Sequence, residues 1–102
     1  MRLLVLFDLP VKTKADKKAY VRFHKFLVRD GYDMIQYSVY GRICNNPESI
    51  EKHVFRLKAH APPNGSVRYM QVTEKQFTSM QVLVGEKKPK EDTSYASQLS
   101  FF

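Results

Sequence analysis

Cysteine, tryptophan and long apolar runs are scarce in this sequence of 102 residues. Cys44 is the only cysteine, and there is no tryptophan. One thiol cannot form a disulfide within the chain or a zinc site built from several cysteines. No apolar run reaches the roughly 18 residues of a membrane-spanning helix, and no apolar signal segment follows Met1 and Arg2. We therefore expect a cytoplasmic protein without a membrane partner.

Acidic residues are also few. Ten Asp plus Glu stand against 17 Lys plus Arg, which gives a formal net charge of +7 and a pI of about 9.6. This excess favours soluble polyanions as partners, nucleic acid first and an acidic protein second. Seven phenylalanines and six tyrosines can fill one hydrophobic core without covalent cross-links. The composition predicts one folded domain.

Hydrophobic periodicity and capping residues predict the order of the elements. The apolar run 2–8 is typical of a buried central strand, and a helix over 14–30 begins after the N-cap Thr13 and ends at Gly31. The segment 32–44 is too long for one strand and predicts a break near 36–38. The remaining elements are a helix from Asn46 and Pro47 to Ala61, a strand over 66–72, one helical turn from Thr73 through Met80, and a short last strand over 81–85.

This order predicts an α+β fold. The pattern βαββαβ is typical of a ferredoxin-like sandwich, in which both helices cover one face of an antiparallel sheet. We expect this domain to span residues 1–85. Residues 86–102 then form a charged linker and an apolar tail, which we expect to add an extra C-terminal strand to a sheet edge at a dimer interface.

Asp8 is the first candidate for chemistry. It ends the central apolar strand, and no lysine or arginine lies within two residues of it. A carboxylate in this position can hold Mg²⁺, which binds through one or two carboxylates and keeps several waters. A second chain would then supply the matching aspartate. The alternative is an Asx-turn, in which Asp8 accepts a hydrogen bond from the turn around Pro10. Both remain open.

A stripe of cations follows the first predicted helix at i, i+4, i+7 and i+11. Neighbours lie roughly 6 Å apart along the axis, a spacing that can follow a phosphate backbone. The alternative is an ordinary solvated helix face. The stripe consists of Lys18, Arg22, Lys25 and Arg29, and further cations lie at Arg42, Arg56, Lys58 and Arg68.

The remaining polar candidates have weaker patterns. Tyr37 is expected in the core, with Ser38 and Tyr40 on the opposite face, where they can contact phosphate or a partner. Cys44 is expected to be a half-buried structural thiol. The three histidines lack metal-ligand spacing, so surface or helix-terminal positions are expected for His24, His53 and His60.

Several segments, taken in order, resemble one family. They are 5–10 at the end of the first strand, 22–32 in the helix and its stop, 35–40, 72–77, and Gly85-Glu86. The combination resembles the CRISPR-associated Cas2 family, the small adaptation proteins that act with the Cas1 integrase. The segment 73–77 and the long first helix are similar to members from Cas9-type systems.

The resemblance implies a ferredoxin-like homodimer in which Asp8 of each chain faces its mate. Asp8 matches the family's metal ligand and catalytic aspartate, with Mg²⁺ or Mn²⁺ as the cofactor. Arg22 and Tyr40 match positions that some members use near this site, while Met34 stands where a basic residue often occurs. Three functions follow: a metal-dependent endonuclease on RNA or DNA, a non-catalytic scaffold that holds duplex DNA between integrase subunits during spacer acquisition, or a ribonuclease toxin of similar fold.

Overall fold

A computed structural model gives the structure of the chain and describes residues 1–85. The four strands of this part form one antiparallel sheet in the order β2-β3-β1-β4. The chain forms, in order, β1 (Arg2–Asp8), α1 (Lys14–Arg29), β2 (Asp33–Gln36), β3 (Val39–Ile43), α2 (Pro47–His60), β4 (Ser66–Val72) and α3 (Glu74–Thr78). This is a ferredoxin-like βαββαβ fold with α3 added, and it confirms the expected α+β class.

The helices begin at the residues that the capping patterns predict. The Thr13 side chain accepts from the backbone N–H of Asp16, whose carboxylate accepts from the Thr13 N–H in return. Asn46 caps α2 with Pro47 in the first turn, and Thr73 caps α3 in the same reciprocal way as Thr13. Each cap satisfies backbone donors that a helix start would otherwise leave unpaired.

Alternation along β1 divides the sheet into two faces. Leu3, Val5 and Phe7 pack with residues of α1 and α2 in the buried core. Because successive side chains of a strand point to opposite faces, Leu4, Leu6 and Asp8 lie on the other side. We call this side the open face, since neither α1 nor α2 covers it.

The segment after α1 breaks into two strands as expected, but its side chains point the other way. The register shifts between Met34 and Gln36, and Ser38 in the turn has a left-handed φ of 65°. Tyr40 pairs with Val5 of the core face, so its side chain lies in the core and is 2% exposed. Tyr37 lies in the turn between β2 and β3 and is 73% exposed, the reverse of our expectation.

One further expectation fails within the described part of the chain. Residues 81–85 form no strand, and Leu83 and Val84 are 97% and 90% exposed. The predicted linker and tail strand over 86–102 lie outside the described residues. No helix within residues 1–85 is long and apolar enough to cross a membrane.

Candidate active site and nucleic-acid interface

Asp8 is the last residue of β1 and stands opposite Ser66 of β4. Its side chain is exposed on the open face. Within residues 1–85 its carboxylate forms no hydrogen bond or ion pair, so the Asx-turn alternative is not realised. The central strand therefore presents an uncommitted carboxylate.

Gly65 brings the start of β4 close to the backbone of Asp8. Its φ is +93°, and a Cβ atom there would lie 2.6 Å from the Asp8 carbonyl oxygen and 2.9 Å from Leu9 Cδ2. Any larger residue would push the two strands apart, because contacts below 3.0 Å are sterically excluded. The glycine at position 65 therefore allows the turn before β4 to pack directly against the backbone of Asp8 and Leu9.

Arg68 is the cation that β4 places nearest to Asp8 on the open face. It pairs with Leu6, so it is the diagonal neighbour of Asp8 across the two strands. Its side chain is exposed. No three His, Cys, Asp or Glu side chains of residues 1–85 come together as a metal-ligand set. One protomer thus presents one carboxylate and one nearby guanidinium at this site.

The cationic stripe is exposed along α1, as its spacing indicated. Lys18, Arg22, Lys25 and Arg29 are all exposed. A shallow depression on the outer side of α1 is lined by Lys17, Lys18, Val21, Arg22 and Lys25. Lys17 did not belong to the predicted stripe, because the spacing i, i+4, i+7 and i+11 was counted from Lys18 and does not include the residue before it.

The stripe and Asp8 lie on opposite sides of the sheet. α1 packs through Phe23 and Leu27 on the core face of β1, whereas Asp8 faces the open side. The stripe and Asp8 come together at the end of the fold where β1 leads into α1, because only five residues separate these two elements. A polyanion on α1 must therefore pass around that end to reach Asp8.

Tyr40 and Arg42, the two predicted nucleic-acid contacts on β3, lie on the core side. The Tyr40 hydroxyl is 2.6 Å from Nδ1 of His24, and burial raises its pKa. Arg42 donates from Nη1 to the Asp30 carbonyl oxygen and from Nε to the Ile43 carbonyl oxygen at 3.3 Å. Tyr40 is thus enclosed, and Arg42 is engaged with backbone acceptors.

A polar cluster at the end of α1 was not foreseen from the sequence. Asp30 accepts from His53 Nδ1 at 2.8 Å and from Arg56 Nη1 at 2.9 Å, and Arg42 closes the group from β3. Burial raises the pKa of Asp30, but the hydrogen bonds from His53 and Arg56 outweigh it and lower that pKa overall. His53 is 3% exposed, so the expected surface position is wrong for it. Cys44, 1% exposed, is fully buried rather than half-buried.

Comparison with known proteins identifies the family. The family model of CRISPR-associated protein Cas2 matches residues 1–80. The chain belongs to the Cas2 family. The ribonuclease-toxin alternative is thereby replaced by the family that the resemblance indicated.

Individual Cas2 proteins match over the whole length. A CRISPR-associated endoribonuclease Cas2 of Acidovorax ebreus (strain TPSY) is 55% identical over 102 residues, and one of Parvibaculum lavamentivorans (strain DS-1) is 44% identical over 102 residues, with 100% of each chain covered in both cases. The crystal structure of Streptococcus pyogenes Cas2 at pH 6.5 has the same fold, with a TM-score of 0.62 at 22% identity over 82% of this chain and 100% of that chain.

Proposed function

We propose that this Cas2 protein is a metal-dependent endoribonuclease that acts as a homodimer in the cytoplasm. The observation that carries the proposal is the uncommitted, exposed Asp8 carboxylate at the end of the central strand. Relatives at 55% and 44% identity that bear the name CRISPR-associated endoribonuclease support it. The reaction is hydrolysis of a phosphodiester, in which water adds to phosphorus and the leaving oxygen takes up a proton.

Asp8 fits a role as a ligand for Mg²⁺ or Mn²⁺. These hard cations take oxygen ligands and need only one or two carboxylates when waters complete the shell. When bound, the ion would supply Lewis acidity at a phosphoryl oxygen. Arg68, diagonal to Asp8 on the open face, can hold a substrate phosphate through its guanidinium.

The open face favours a second copy of the chain as the partner. Large apolar side chains remain exposed on it, on the central strands β1 and β3 and on the edge strand β4. An apolar surface of this kind marks an interaction site rather than ordinary solvent contact. A two-fold dimer through it would bring two Asp8 carboxylates to one site. The exposed fractions are 37% for Leu6, 41% for Ile43 and 51% for Met70.

The second candidate function is a non-catalytic scaffold for duplex DNA and the Cas1 integrase. It is favoured by the position of the cationic stripe, which lies across the sheet from Asp8 and can bind phosphates without involving it. Backbone contacts of this kind give affinity without sequence preference. The scaffold predicts duplex binding that is indifferent to Asp8.

Cleavage of single-stranded and duplex RNA and DNA, with Mg²⁺ or Mn²⁺ and with a chelator, tests the two candidates. We expect RNA cleavage that the chelator abolishes and that Asp8→Asn slows by about 100-fold or more, the usual effect of removing a group that acts in the transition state. Glu51→Gln, which neutralises an exposed carboxylate on α2, is the matched control and should cleave normally.

Two results would contradict the enzyme proposal. Cleavage at the wild-type rate by Asp8→Asn would place the active centre elsewhere. Absence of cleavage in the wild type, together with equal duplex binding by wild type and Asp8→Asn, would establish the scaffold.

A further inference from the structure

Two aromatic rings of residues 1–85 stand almost fully in solvent. Phe55 of α2 is 75% exposed, and Tyr37 of the β2–β3 turn is 73% exposed. A single exposed aromatic residue needs no explanation. Tyr37 differs from Phe55, however, because the fold holds its ring in place.

The turn and α1 fix Tyr37 from two directions. Ser38 has a φ of 65°, a conformation that a non-glycine residue keeps only where its surroundings impose it. The Phe7 N–H donates to the Ser38 carbonyl oxygen at 3.0 Å. The Tyr20 ring lies 6.4 Å from that of Tyr37 at 23°, and a hydrogen bond between their side chains, with burial, raises the pKa of Tyr20 to about 12. The exposed ring is therefore preorganised.

Tyr37 lies where the two candidate surfaces of the molecule approach each other. Leu6 pairs with Val39, so the turn stands at the same end of the sheet as Asp8. Lys17, an exposed residue, precedes Tyr20 by three positions and shares its flank of α1. It also lines the depression that leads to Arg22 and Lys25. A path around this end of the fold thus runs from the carboxylate past an aromatic ring to a row of cations.

We propose that Tyr37 is a stacking platform for an unpaired base of single-stranded RNA, with the adjoining phosphates held by Lys17 and the cations of α1. The inference rests on the proposed function, since it deepens the choice of substrate. Stacking of bases on aromatic rings, beside a positively charged groove, is a general mode of single-strand recognition. A ring already fixed in position loses little conformational entropy on binding.

This arrangement selects single strands over duplexes. Bases within a duplex are stacked on one another, so their faces are not available to Tyr37. Phosphate contacts from α1, in contrast, serve both kinds of nucleic acid. Tyr37 should therefore contribute to single-strand affinity alone, and it should not change the salt dependence that the cations produce.

Binding of single-stranded RNA of about 12 nucleotides and of the matching duplex, measured in a chelator so that no cleavage intervenes, tests the proposal. We expect Tyr37→Ala to weaken single-strand binding by about tenfold or more, with the duplex affinity and both salt slopes unchanged. Tyr37→Phe, which keeps the ring, should stay within about threefold of the wild type. Phe55→Ala is the control for loss of an equally exposed aromatic ring and should bind as the wild type does.

A second measurement uses the unaltered protein. RNA that carries 4-thiouridine, irradiated in the complex and analysed by mass spectrometry, should cross-link at Tyr37. This readout stands even if Tyr37→Ala were to fold poorly. No cross-link at Tyr37, or equal losses on single strand and duplex, would overturn the proposal. So would a Tyr37→Ala protein that binds RNA normally but no longer dimerises, because Tyr37 would then be a protein contact.

The outcomes also separate this inference from the proposed enzyme. If no RNA is cleaved but Tyr37 still cross-links and selects single strands, the platform stands and the nuclease does not. If cleavage depends on Asp8 while Tyr37 has no effect on binding, the nuclease stands and the platform is wrong.

Discussion

The carboxylate of Asp30 lies 2.8 Å from Nδ1 of His53, and the two side chains are only 9% and 4% exposed. Asp30 caps the C-terminal end of α1, where the helix dipole disfavours a negative charge. Its hydrogen bonds from His53 and Arg56 offset this cost, and Arg42 donates to its carbonyl oxygen. Gly31 permits that approach, since a Cβ there would lie 2.8 Å from Arg42 Nη1. The cluster joins α1, β3 and α2.

We expect Asp30→Asn to lower the free energy of unfolding by about 2 kcal/mol near pH 7, because it removes a charged acceptor from a largely buried group of donors. The pKa of Asp30 is lowered in the folded state. Its contribution is therefore complete above the ordinary carboxyl pKa and is lost as the pH falls through the folded-state value. Urea unfolding of both proteins between neutral pH and about pH 3 should show the difference shrinking in acid.

Glu51→Gln is the control for this experiment, since Glu51 is an exposed carboxylate of α2 that takes part in none of the ion pairs found within residues 1–85. It should change the stability little at any pH. A difference between wild type and Asp30→Asn that stays constant down to acid pH would show that the lost contribution is not that of a charged carboxylate.

Signals that act over a few residues made most of the fold predictable. The caps Thr13, Asn46 and Thr73 each bond to a backbone N–H three residues ahead, so their patterns are complete within one turn of sequence. The alternation of β1 likewise identifies Asp8 as the residue that follows a buried strand. The helix starts, the sheet and the position of Asp8 could therefore be predicted.

Features that depend on distant residues could not be predicted in the same way. Tyr40 is buried because β3 pairs it with Val5, and Tyr37 is exposed because it lies in the turn between β2 and β3; propensity locates neither the pairing nor the turn. Asp30 and His53 are 23 residues apart in sequence, and neither belongs to a periodic pattern that points to the other. Residues 81–85 were predicted as a strand but join none of the four strands of residues 1–85. The alternation of apolar and polar residues along the sequence does not predict any of these three features.

We expect the double variant Arg22→Ala, Lys25→Ala to bind duplexes of unrelated sequence with uniformly lower affinity. Both side chains are exposed and line the same depression of α1. If each contacts one phosphate, the slope of log K against log salt should become less steep by about 1.8, which is twice the contribution of one contact. Titrations at several salt concentrations measure this slope.

The matched control is Lys52→Ala, Lys58→Ala, which removes the same charge from exposed positions of α2. It should retain the wild-type slope. Equal changes in the two double variants would indicate that the net charge, rather than the stripe on α1, determines duplex binding.

If the chain forms the proposed dimer through the open face, we expect Leu6→Lys to dissociate it. Leu6 lies in the middle of the open face, between Val39 and Arg68 of the neighbouring strands, and is 37% exposed in the single chain. A lysine there would bury a charged group in the apolar contact between copies, at a cost of several kcal/mol per protomer, which raises the dimer dissociation constant by 100-fold or more at about 1.4 kcal/mol for each factor of ten. Sedimentation at several protein concentrations would record the shift to monomer.

Val21→Lys makes the same change on the outer side of α1, where Val21 is 47% exposed, and should leave the mass in solution unchanged. If Leu6→Lys remained a dimer while Val21→Lys dissociated, the outer side of α1 would be the contact between copies, and each open face would present Asp8 alone.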